Sequence, residues 1–298
     1  MRIKAQFKLV ASLILLLVLA VSFFNFRDMR LSAPAQGFQS YRLVSHAMGG
    51  IDGVTYSNTY EAFAANYKKG IRVFEADLLL SKDGHLIARH EWGESFTKLM
   101  GQQDGLEQER WGSVWTLEEF KSAKVMGKYE PLDWDDILDL MTEYPDIYLV
   151  TDTKQISEDE IDEIFGKIVS TAQAREQAES LLDRIVPQIY YESMWDAVHE
   201  IYPFNSVIYT LYQTHDSDDK VVSFAKEKGI SAITMSTTRA NKELVAALMQ
   251  AGIPSYVHTI NDPKEVLKFK RMGVYGFYSD FLGESDASRT DLLYLLGN

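Results

Sequence analysis

No cysteine occurs anywhere in the 298 residues. Its absence excludes disulfides, thiolate zinc sites, iron–sulfur clusters and cysteine nucleophiles, and leaves the redox compartment open. Proline (7) and glycine (18) are too few for collagen-like or Pro/Gly-rich low-complexity architecture. A basic excess is also missing, since 30 Lys+Arg face 43 Asp+Glu for a net charge of −13. A surface that acidic repels a nucleic-acid backbone, and no basic patch offsets it, so no nucleic-acid partner is expected. What is present, 46% hydrophobic and 24% charged residues, is an ordinary globular composition at a length for one large domain or two small ones.

The N-terminus departs from that average. Arg2, Lys4 and Lys8 precede an apolar run over 9–24 broken only by Ser12 and Ser22, and Arg27 and Arg30 follow. Flanking Phe7 and Phe26 lengthen the run toward the ~20 residues a membrane span requires. No face of the segment is polar, which argues against a core helix. Two readings stay open, a transmembrane anchor over 9–26 or a cleaved signal peptide. Ala33-Pro34-Ala35 has the small-x-small form of a cleavage site but lies well beyond the run, which favours a retained anchor. The expected order is a cytoplasmic N-terminus at 1–8, the anchor, a linker over 27–40, and an extracytoplasmic domain over 41–298. Without residues 1–40 the charge falls to −17, from 25 basic and 42 acidic side chains.

Residues 41–298 alternate between short apolar strands and amphipathic helices. Strands are expected at 41–45, 71–80, 85–90, 147–154, 185–189, 206–211, 231–235, 255–259 and 276–279. Helices are expected from a cap at Asn58 or Thr59 to Lys69, then over 158–182, 193–201, 218–228, 241–251 and 263–272. Gly229, Gly252 and Gly273 sit just past helix ends, where a left-handed residue commonly closes a helix. The turn Ser81-Lys82-Asp83-Gly84 is too short for a parallel crossover, so 85–90 folds back antiparallel. Eight parallel strands remain, the pattern and length of a (β/α)8 TIM barrel. The largest insertion, 91–146, holds Trp92, Trp111, Trp115 and Trp134. These rings fill a satellite core, cover the site as a lid, or touch lipid.

Glu75 and Asp77 are two apart on a strand, so both carboxylates point the same way. Like charges so placed call for a cation, and a hard divalent ion such as Mg2+ or Ca2+ suits oxygen donors. Asp152 and Lys154 repeat the spacing. Both pairs lie near the C-terminal ends of strands, where barrel active sites assemble. His46 and His90 end strands on the same rim, and paired imidazoles can serve as general acid and general base. His85, His199 and His215 read as structural or exposed.

The ordered series His46, Asn58-Thr59 with Phe63, Gly70, Glu75-x-Asp77, Lys82-Asp83-Gly84, His90 and Asp152-x-Lys154 resembles the glycerophosphodiester phosphodiesterase family. Thr259-Ile260-Asn261 and Gly276-Phe277-Tyr278-Ser279-Asp280 resemble that family's last two strands, so the resemblance covers about 42–283. It implies a TIM barrel with one divalent metal ion, metal ligands Glu75, Asp77 and Asp152, an acid–base pair His46 and His90, and Lys154 against the phosphate. Three departures stand out: Ala47 where the family has arginine, Asp152 where it has glutamate (as in the related sphingomyelinase D branch), and His258 where it has tryptophan. Losing the arginine removes a bidentate phosphate clamp, and His258 becomes a substrate-binding residue, as a pocket wall or as a substitute ligand. The expected activity is metal-dependent hydrolysis of a glycerophosphodiester or phospholipid-like headgroup diester at a membrane. The alternatives are a phospholipase D-like lyase that forms a cyclic phosphate and a non-catalytic barrel that binds a phosphorylated ligand.

Overall fold

The computed structural model describes residues 36–104, 106–154 and 157–295. Among these residues nine strands form: β1 Leu43–Ser45, β2 Val73–Leu80, β3 Leu86–Ala88, β4 Tyr148–Asp152, β5 Ile185–Ile189, β6 Ile208–Thr210, β7 Ala232–Ser236, β8 Ser255–His258 and β9 Gly276–Ser279. Parallel pairing runs in order from β2 and β4 through β9, then from β9 to β1 and from β1 back to β2. This is a closed eight-stranded parallel barrel. As the short turn requires, β3 is antiparallel to β2, with Leu78 opposite Ala88 and Leu80 opposite Leu86.

Strand period two sorts the side chains into layers. Outward residues such as Phe74, Leu149, Ile185, Ile233 and Phe277 meet the helices in the main core. Inward residues Val44, Val73, Val150, Val186, Ile208, Ala232, Tyr256 and Tyr278 fill the barrel floor. Helix ends follow local chemistry. Thr59 caps Tyr60–Lys68 by accepting from the Ala62 N–H, Asn241 caps Lys242–Gln250, and Asp262 caps Pro263–Met272. Gly229 and Gly273 close their helices in the left-handed region, at φ 67° and 103°.

Three expectations need correction. The helix expected over 158–182 is two, Glu158–Gln173 and Ala178–Leu182. The buried stripe Ile161, Ile164, Phe165, Ile168 and Ala172 ends there, and Arg175 leaves to pair with Asp135 and Asp139. The insertion is shorter than 91–146, because Trp134–Glu143 is a barrel helix. Asp133 and Asp136 form its capping box, and Trp134, Ile137, Leu138 and Met141 face the main core. The linker expected over 27–40 stops before Gly37–Ser40, a 3-10 turn whose Phe38 is 0% exposed and packs into the floor cluster. Among the described residues no helix is long and apolar enough to cross a membrane. The expected anchor at 9–26 lies outside them.

Phe38 closes the end of the barrel opposite the site. Phe38→Ala should therefore destabilise the fold by about 3–5 kcal/mol through lost burial and a cavity. Denaturant unfolding measures this, and a loss below about 1 kcal/mol would mean that the floor is sealed without this ring.

Candidate active site

The site is the inward face of the barrel continued two to four residues beyond the floor. Val44 leads to His46, Val73 to Glu75 and Asp77, Val150 to Asp152, Val186 to Gln188 and Tyr190, Tyr256 to His258, and Tyr278 to Asp280. Along each strand the same face turns from apolar to polar as it reaches the C-terminal rim, where barrel sites form. The register places Asp77 directly beside Asp152.

Glu75, Asp77 and Asp152 converge, with one carboxylate oxygen from each lying within 4.8 Å of the others. Glu75 and Asp77 are only 2% and 1% exposed. The Ala47 N–H donates to Glu75 Oε2 at 2.6 Å, while Glu75 Oε1 is buried with no hydrogen-bond partner. Asp77 Oδ2 accepts from Asn58 Nδ2 at 2.9 Å, and its Oδ1 accepts from Lys154 Nζ at 2.7 Å. Lys154 also lies 3.2 Å from Asp152 Oδ2, and the Tyr190 hydroxyl donates to Asp152 Oδ1. Three hard oxygen donors around one point, one of them orphaned in a buried setting, fit a divalent cation.

The electrostatics agree. Burial and the neighbouring Asp77 push the Glu75 carboxyl up to about 8. Burial also pushes Asp152 up, to about 6, against the pull of Lys154. Asp77 is desolvated too, but Lys154 and the two histidines reverse that and hold it at about 2. Burial draws the Lys154 ammonium down, yet Asp77 and Asp152 more than compensate and keep it charged.

The two histidines differ. His46 Nδ1 lies 2.9 Å from Asp280 Oδ1, and Asn261 braces that carboxylate through Nδ2 to Oδ2 at 2.7 Å. Burial alone would lower His46, but the Asp280 bond and the Glu75 and Asp77 carboxylates raise it to about 9. His90 is lowered by burial, only partly offset by Asp77, and its Nδ1 is buried without a partner. The Tyr56 ring contacts both imidazoles edge-on, at centroid distances of 4.9 and 4.7 Å. His258 reaches the same mouth, where burial and His46 lower it to about 4.

The chain between β3 and Trp134 builds a wall beside His90. Phe96 stacks on the His90 ring, and Arg89, 3% exposed, bonds Gln102 and Thr97 against the faces of Trp92, Phe96 and Trp115. Trp115 is fully buried and donates Nε1–H to the Arg110 carbonyl. The rings of Trp115 and Trp134 therefore fill cores and present nothing to lipid.

All seven sequence-predicted residues, His46, Glu75, Asp77, His90, Asp152, Lys154 and His258, reach this one rim. Asn58, read as a possible helix cap, is instead fully buried against Asp77. Tyr56, Gln188, Tyr190 and the role of Asp280 were missed. Period two, counted from 186 and 278, leads to Gln188, Tyr190 and Asp280, whereas Tyr56 lies in a loop and carries no periodic signal.

The sequence matches the Glycerophosphoryl diester phosphodiesterase family over residues 37–284. The chain belongs to this family. Its members are phosphodiesterases, and the family's fold is the barrel described above. Similar solved structures include an Oleispira antarctica phosphodiesterase in complex with the product sn-glycerol-3-phosphate (16% identity, TM-score 0.66, covering 86% of this chain and 100% of that one). A glycerophosphodiester phosphodiesterase from Parabacteroides distasonis is similar at 16% identity and TM-score 0.64, over 85% and 97% of the two chains. Another from Thermotoga maritima is similar at 18% identity and TM-score 0.58, over 85% and 97%. At these identities the likeness speaks for the fold. Comparison with curated proteins gives no match.

Without metal, Glu75, Asp152 and His46 each hold a proton more tightly folded than unfolded. The stability each contributes is full at low pH and is lost as pH rises through about 6 (Asp152), 8 (Glu75) and 9 (His46). Asp77, at about 2, acts oppositely but only in acid. His258, lowered to about 4, and His90, lowered by burial, act oppositely below about pH 6.5, so the Tm of chelator-treated protein should fall between about pH 7 and 9, where Glu75 and His46 alone lose their protons. Added Mg2+ or Ca2+ should raise Tm most at the alkaline end, because a bound ion displaces the Glu75 proton. Glu75→Gln should remove most of that metal-dependent rise. A metal effect equal at both ends of the range, or undiminished in Glu75→Gln, would rule out this cluster as the ion site.

Proposed function

We propose that this phosphodiesterase hydrolyses a glycerophosphodiester or a related headgroup diester with the aid of one divalent ion, Mg2+ or Ca2+. The observation that carries the reading is the convergence of Glu75, Asp77 and Asp152 beside two histidines with opposite proton affinities. A divalent ion held by the three carboxylates would supply Lewis-acid polarisation of the phosphoryl oxygens. Lys154, already charged at that cluster, offsets negative charge on the phosphate. His46 carries a proton at neutral pH, and Asp280 fixes its Nδ1, so its Nε2–H is the group that protonates the leaving alkoxide. His90 stays neutral and accepts the proton of the attacking water. His258, neutral as well, borders the pocket where the headgroup binds.

The product complex of the Oleispira antarctica relative supports the glycerol-phosphate part of this reading. Attachment to a membrane and an extracytoplasmic location rest on the apolar run at 9–26 alone.

His46→Ala and His90→Ala should each lower turnover by roughly 10²–10⁴. His199→Ala, on the outer helix Glu192–Ile201 against Trp195, and His215→Ala should leave it unchanged. The assay is phosphorus NMR of a panel of deacylated diesters and intact lipids with added Mg2+ or Ca2+. Release of a linear monoester supports hydrolysis. A cyclic diester product would instead identify the lyase, and turnover of nothing in the panel would favour the binding-only barrel.

A further inference from the structure

Tyr56 is not accounted for by the acid–base pair or by the carboxylates, yet it stands among them. Its backbone is left-handed at φ 56°, and Ala47, Met48, Asn58 and Lys154 around it are left-handed too. Such conformations cost of order 1–3 kcal/mol each for residues other than glycine and persist where the surroundings enforce them. Here the Asn58 N–H donates to the Ala47 carbonyl at 3.0 Å, which ties the Tyr56 turn to the segment carrying His46. The side chain packs against the cluster of Phe96, Met100, Val125 and Tyr129, and the ring makes edge contacts with His46 and His90.

The ring is thus fixed on several sides, but its hydroxyl is not used. It has no hydrogen-bond partner among the described residues, and it is not sealed from solvent. The charged groups around it are Asp280, Asp77, Lys154 and Glu75. Burial first, then Asp280 and Asp77, push the phenol above its usual 10, so it keeps its proton and is a donor at any working pH. Residue 47, beside His46, is an apolar and fully buried alanine, so this loop carries no cationic clamp.

We propose that the Tyr56 hydroxyl donates a hydrogen bond to a non-bridging oxygen of the scissile phosphoryl group, supplying on the His46 side a contact that Lys154 supplies on the other. This rests on the phosphodiesterase reading, because it places the phosphate between the two imidazoles and Lys154. Charge grows on the phosphoryl oxygens as the diester is attacked, so a fixed neutral donor contributes more in the transition state than in the ground state.

The test is Tyr56→Phe in the full-length, Mg2+-loaded protein, which keeps the ring and its packing. Turnover of the best diester in the panel should fall about 10- to 100-fold. Binding of inorganic phosphate, followed by calorimetry without turnover, should weaken about tenfold. If either readout is unchanged, the hydroxyl does not bind the phosphoryl group and the proposal is wrong. Should the wild type cleave no diester, the functional reading fails on its own, while the calorimetric comparison still decides whether Tyr56 contacts phosphate. Tyr56→Leu guards against a packing effect. Its phosphate affinity should fall to that of Tyr56→Phe, and a phosphate affinity equal to wild type would overturn the proposal.

Discussion

Three carboxylates crowded at a buried point govern the rest of this structure. In water two such groups repel weakly, but at the mouth of a barrel they face low dielectric on most sides. The protein meets this in three ways. Lys154 bridges Asp77 and Asp152, Glu75 holds a proton, and Asn58, Tyr190 and the Ala47 N–H donate into the cluster. Each of these is a partial answer. The orphaned Glu75 Oε1 is the part left over, and it is the part that a cation would complete.

The barrel makes that crowding possible. Period two along β2 delivers Glu75 and Asp77 to one face, and the parallel register sets Asp152 beside Asp77. Closure through β1 and β9 brings His46 and Asp280, far apart in sequence, within 2.9 Å. Below them the apolar floor, plugged by Phe38, keeps water out from beneath. The wall that starts at Arg89 holds the strand end carrying His90. The same scaffold thus packs the core and sets opposite proton affinities on two histidines that both touch the Tyr56 ring.

Much of this was legible in the sequence. All nine strands were foreseen, with boundaries off by a few residues at most, because short apolar runs between helical stretches are strong signals. The acidic pairs were legible because a strand's period is fixed. Features that depend on tertiary contact were not legible. Nothing local distinguishes Asn58 as a ligand support from Thr59 as a helix cap, and only the fold separates them. Phe38 reads as linker until the floor is seen around it. Trp134 reads as insertion until its capping box and apolar stripe are placed against the barrel. Tyr56 lies in a loop whose left-handed turns no periodicity announces.

The most direct test of the account is an anomalous-scattering crystal structure of the protein soaked in Mn2+, a stand-in for Mg2+ with the same preference for oxygen donors. One anomalous peak is expected, bonded at about 2.0–2.6 Å to oxygens of Glu75, Asp77 and Asp152, with the Lys154 ammonium moved off the carboxylate oxygens that it now shares with the site. A fully soaked crystal with no peak there, or with its peak on other residues, would contradict it.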